Sequence, residues 1–138
     1  MICLSMSIHI TSRALRFASR RATEPPSRMR RKLPQQRLRH TLDRVFESIA
    51  LAPPVLLKLD VQGYEAKVLL GGVKTLKRVD YVVLEASLRP MYEGEVLFLD
   101  LVRLMAGYGF RFLRPVGWLA DRKTDEVLQV DALFERAL

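Results

Sequence analysis

The spacing of apolar residues changes abruptly across residues 55–70. Val55, Leu56, Leu57, Leu59 and Val61 form a short apolar run, interrupted by Lys58 and Asp60. A run this short and this rich in branched side chains predicts a buried strand. Beyond Gly63 the period becomes helical, with Ala66, Leu69, Leu70, Val73 and Leu76 on one face. The helix is expected from about Tyr64 towards Lys77. Gly71-Gly72 lies inside it, and each glycine costs about 1 kcal/mol relative to alanine there. A kink, or a break into two short helices, is therefore expected. Asp80–Glu85 predicts a second strand. Strand, helix, strand at this spacing implies a right-handed parallel crossover.

The flanks read with similar rules. Thr41–Ala52 places Leu42, Val45, Phe46, Ile49 and Ala50 on one helical face, with Thr41 as N-cap and Pro53-Pro54 as terminator. Ala86–Gly94 reads as a loop, and Glu95–Ala106 as an apolar helix capped by Gly107 or Gly109. Phe110–Arg114 and Val127–Phe134 predict two further strands. The polar tip Asp121–Glu126 makes a hairpin of them, so the last strand is antiparallel to its neighbour. Trp118 and the tyrosines are expected in packing. The pattern predicts one α/β domain whose sheet is partly parallel.

Charge changes the picture at one end only. Residues 1–40 carry ten arginines and lysines and a single acid, Glu24. The remaining residues carry 13 basic and 14 acidic side chains, so the basic character belongs to the leader. Residues 1–40 show no sustained period, and four readings stay open. They form a basic tail for nucleic acid or an anionic surface, a transit peptide, a diverged native strand and loop, or sequence foreign to the domain. Only Phe17 interleaves the arginines, which argues against a single-strand nucleic-acid platform. No apolar run reaches the roughly 18–20 residues needed to span a bilayer. The lone Cys3 excludes an internal disulfide, gives no metal cluster and fits a reducing compartment, so a cytoplasmic location is expected.

The candidate chemistry follows from topology. Parallel strands bring their carboxyl ends to one edge, where open α/β sheets bind ligands. That edge collects Asp60, Gln62 and Glu65 from the first strand and Glu85, Ser87 and Arg89 from the second. A strand-end acid such as Asp60 can accept a ligand's hydrogen bonds, act as general base or help hold a metal. Its competing roles are capping the next helix or pairing with Lys58. Glu65 is also favoured by the helix dipole alone, worth about 0.3–1 kcal/mol. No metal site is assigned, since two carboxylates without a third ligand make a poor one.

Leu57-Lys58-Leu59-Asp60-Val61-Gln62-Gly63-Tyr64-Glu65, followed by Val68-Leu69 and Gly71, resembles the signature of FkbM-type methyltransferases. Thr41-Leu42-Asp43, Val83–Ser87, Leu88–Gly94 and Leu128–Phe134 are similar to further segments of that family, in order and at family spacing. The resemblance covers about Thr41–Arg136. It implies a class I, Rossmann-like methyltransferase that uses S-adenosylmethionine and methylates oxygen on a small-molecule acceptor such as a sugar or polyketide. It implies that Asp60 and Gln62 line the cofactor cleft. Asp60, with Glu65, would orient or deprotonate the acceptor hydroxyl, and Glu85, Ser87 and Arg89 would face the acceptor.

One family feature is missing from the sequence. Class I methyltransferases open with a strand and an acid-x-Gly-x-Gly loop whose glycines let backbone approach the cofactor. Here the first glycine is Gly63, and Gly107-Tyr108-Gly109 lies between a helix and a strand, the reverse order. The expectation is a basic leader at residues 1–40 and the C-terminal part of a methyltransferase domain at residues 41–138. The strand at Val55–Val61 would then be an open edge, inviting self-association. A non-catalytic interaction module is the alternative reading.

Overall fold

The computed structural model describes residues 7–11 and 40–137. The expectations for the leader outside residues 7–11 concern residues beyond those described. Among the described residues the elements are β1 (Ser7–Thr11), α1 (Leu42–Phe46), β2 (Leu56–Asp60), α2 (Glu65–Leu70), α3 (Val73–Leu76), β3 (Tyr81–Ser87), α4 (Phe98–Gly107), β4 (Phe110–Ala120) and β5 (Val127–Arg136). The five strands form one mixed sheet in the order β1-β2-β3-β5-β4. β2 and β3 are parallel, with Leu57 opposite Val82 and Leu59 opposite Leu84. β5 runs antiparallel to both β3 and β4. This α/β arrangement, partly parallel, is consistent with a Rossmann-like methyltransferase fold.

Period-two alternation divides the sheet into two unlike faces. Leu57, Leu59, Val82, Leu84, Ala86, Ala132 and Phe134 point to one side. There they pack against Leu42 and Phe46 of α1, Leu69 of α2, Leu76 of α3, and Leu101 and Met105 of α4. The alternate residues Leu56, Val83 and Leu133 make a smaller apolar group on the other side, with Tyr81 and Val116 against it. The helices therefore share one face, and most of the core lies beneath them.

The predicted break at Gly71-Gly72 is present, and its cause is a close approach as much as propensity. A Cβ on Gly72 would stand 2.6 Å from Leu42 Cδ2. The start of α1 thus lies directly over the glycine pair, and the Asp43 amide donates to the Gly71 carbonyl at 2.9 Å. Asp43 then closes α3. Its carboxylate accepts from the amides of Lys74 (3.0 Å) and Thr75 (2.6 Å) and from the Thr75 hydroxyl (2.8 Å). Thr41 caps α1 as expected, accepting from the Arg44 amide at 3.3 Å.

Four expectations are corrected. The outer edge of β2 is not open: Ser7–Thr11 pairs with it antiparallel, from Ser7 opposite Asp60 to Thr11 opposite Leu56. β4 extends to Ala120, past the expected Arg114, because register shifts flank Leu113, Val116 and the Leu119–Ala120 step and disrupt the alternation that would have marked it. α1 stops at Phe46, so Val45 and Ile49 stay exposed while Leu42 and Phe46 are buried. Trp118 is 70% exposed rather than packed.

Candidate active site

The site begins at the turn from β2 into α2. Gln62 and Gly63 both adopt positive φ, 51° and 90°. Two left-handed residues in succession reverse the chain at once, and only glycine does this without steric cost. Space confirms the need for glycine at the second position, where a Cβ would meet Tyr92 Cβ at 2.9 Å. The turn is held from inside by Glu65, which is only 4% exposed and accepts from the Val61 amide at 3.1 Å. Burial raises the Glu65 carboxyl above its ordinary value, against the opposing pull of the surrounding backbone amides.

The residues of the loop between β3 and α4 fold back over this turn. Glu95 is its clasp. One carboxylate oxygen accepts from the amides of Met91 and Tyr92, the latter at 3.0 Å, and the other from the Ser87 hydroxyl at 2.8 Å. Ser87 in turn accepts from Gln129 Nε2 at 3.1 Å. Ser87 and Gln129 are both buried, so this chain of bonds fixes the loop to β3 and β5.

Asp60 and Glu85 end the β2 and β3 ladder on the face away from the helices. Leu59 and Leu84 are register partners, so the next residues, Asp60 and Glu85, lie side by side. Among the described residues no hydrogen bond or ion pair reaches the Asp60 carboxylate. The Lys58 ammonium turns instead to Asp131 on β5, at 3.9 Å. Glu85 carries the largest perturbation. Burial first, and then the charges of Asp60, Glu65 and Asp131, push its carboxyl up to about 7, with Lys58 opposing. Tyr92 is also pushed above its ordinary value, by burial and by Glu85.

The six residue positions named from sequence thus separate. Asp60, Gln62, Glu65, Glu85 and Ser87 gather at one sheet edge. Within that group Glu65 and Ser87 are engaged by the protein itself. Arg89 turns aside to Glu126 at the β4–β5 hairpin, at 2.5 Å, and its side chain is 64% exposed. Asp131, Gln129, Tyr92 and Glu95 belong to the same edge without having been singled out. Asp131 is the partner of Glu85 in the β3–β5 register, a relation that local pattern does not carry. No trio of metal-ligating side chains is close enough to hold an ion among the described residues.

With this edge in place, the fold is that of an α/β chain with a partly parallel sheet. Residues 12–112 match the methyltransferase FkbM domain model, and the chain belongs to that family. The match begins within the arginine-rich leader and ends before β5. No curated protein and no solved structure matches the chain.

Methyltransferases of this family generally use S-adenosylmethionine, and the described residues do not fit it. No glycine precedes Gly63 in these 138 residues. β1 does not supply a substitute. Because it runs antiparallel, Thr11 leaves the sheet beside Leu56, at the edge opposite to Asp60.

Proposed function

We propose that this chain carries the acceptor-side wall of an FkbM-type O-methyltransferase site. The acceptor is a small hydroxylated molecule of the sugar or polyketide kind. Asp60 takes up the hydroxyl proton, and the Gln62-Gly63 turn presents that carboxylate to the acceptor. The observation that carries the reading is the Asp60 carboxylate itself. It stands at the carboxyl edge, beside Glu85, with no described group bonded to it. Asp60 is half-buried at the carboxyl end of a strand, the edge at which open α/β sheets bind ligands. Glu65 and Ser87 serve this arrangement by holding the turn and the loop above it.

The reading includes the missing wall. Isothermal titration of the purified chain with S-adenosylmethionine is expected to give no micromolar binding. Micromolar binding would show that the cofactor site is complete, and the one-wall reading would fall.

A further inference from the structure

The site face holds more carboxylates than it can keep ionised. Asp60 ends β2, Glu85 lies on β3 and Asp131 lies on β5 as the register partner of Glu85. Glu65 sits at the head of α2, and Tyr92 and Glu95 come from the loop above. Lys58 of β2 and Arg111 and Arg114 of β4 lie on the same face, and His9 of β1 is the register partner of Lys58. Lys58 sits with Asp131 and Arg111 with Glu135, so neither pairs with Glu85. From β4 the residue opposite Asp131 is Gly117, which brings no charge. Gly117 brings room instead: a Cβ there would stand 2.7 Å from Asp131 Oδ2. The glycine thus leaves the space that Asp131 Oδ2 occupies, while Oδ1 lies 3.9 Å from the Lys58 ammonium.

We propose that Asp131, steadied by Lys58 and given space by Gly117, is a positioning residue that adds to burial and to Asp60 in favouring the proton-donating form of Glu85 beside Asp60. Adjacent like charges cannot all ionise together, and the acid with the least compensation keeps its proton. Lys58 compensates Asp131, and Asp60 lies at the outer end of the ladder. Glu85, between them, keeps the proton. Near neutrality the edge then offers an acceptor two different groups, a carboxylate that receives a proton and a carboxyl that gives a hydrogen bond. The inference rests on the acceptor-wall reading for its purpose, but the proton's location is open to test without any cofactor.

The test is a carboxyl-carbon NMR titration of the full chain labelled at glutamate, with Glu85→Gln used to assign the resonance. Glu85 is expected to titrate near 7. Asp131→Asn should lower that midpoint. Lys58→Met should raise it, which a merely structural role for the lysine would not do. Circular dichroism of each variant reports whether the fold persists, and the lysine variant stands alone if the aspartate one does not fold. A Glu85 midpoint in the ordinary glutamate range, or one that neither variant moves, would overturn the proposal. Failure to bind S-adenosylmethionine would leave it untouched.

Discussion

The two faces of the sheet solve opposite problems with the same strands. On the helical face every inward position of β2 and β3 is aliphatic, and Leu57, Leu59, Val82 and Leu84 are fully buried. On the other face the same strands carry Lys58, Asp60 and Glu85, beside Asp131 of β5. The first face yields stability through close packing. The second gives some of it up by bringing carboxylates together in a half-buried setting. A strand can serve both because its side chains alternate, so one register fixes the core and the site together. What differs is tolerance: the helical face has no room for change, and the charged face responds to protons.

That difference can be pressed hardest in the core. Phe134→Ala removes a ring stacked edge-on to Phe112 at 5.6 Å and should cost about 3–5 kcal/mol in urea unfolding. Val83→Ala, on the charged face, should cost about half as much or less. If the two costs are equal, the faces are not unlike in the way described. Next comes the turn that joins them. Gly63→Ala imposes a side chain at φ 90° and 2.9 Å from Tyr92 Cβ. It should destabilise by about 1–3 kcal/mol, with amide shifts spreading to Tyr92 and Glu95 in NMR spectra. Asp43→Ala leaves the first turn of α3 without its acceptor and should cost about 1–2 kcal/mol. Burial pushes Asp43 up, but the bonds from Lys74 and Thr75 outweigh it and the net value is lowered. Its contribution is therefore present above the ordinary aspartate range and is lost as pH falls through the lowered value. A denaturation series at acid pH checks this against the Asp43→Asn chain.

The last effect has the opposite pH dependence. Glu85 binds its proton more tightly when folded, about 7 against 4.5. The folded state thus holds more protons between those values, and stability should decline as pH rises through them. Glu85→Gln should remove that slope. A slope unchanged in the variant would place its origin elsewhere.

Local pattern made much of this visible. The apolar run at Val55–Val61, the helical period after Gly63 and the hairpin ahead of Val127 are signals carried within a few residues. So is the break at Gly71-Gly72, although its packing reason, the closeness of Leu42, depends on an element 30 residues away. What escaped notice was set by non-local pairing. Ser7–Thr11 has only five residues; Ile8 and Ile10 alternate with polar neighbours as in a strand, but nothing local marks it as the neighbour of β2. Asp131 looks like an ordinary outward residue of a strand until the register with Glu85 is known. Glu95 reads as the first residue of a helix, and its role as the clasp of the loop depends on where Ser87 ends up. The residues of the family signature were legible, and their partners from β5 were not.

The account stands or falls on Asp60 lying beside Glu85 on the face away from the helices. Interstrand NOEs in a uniformly labelled sample test this directly. The expected result is a set of backbone contacts linking Leu59 and Asp60 to Leu84 and Glu85, with Leu59 and Leu84 side chains in contact with Leu69 and Met105. Contacts from the Asp60 side chain to Leu69 or Met105 would instead signal a one-residue slip, and the site described here would not exist.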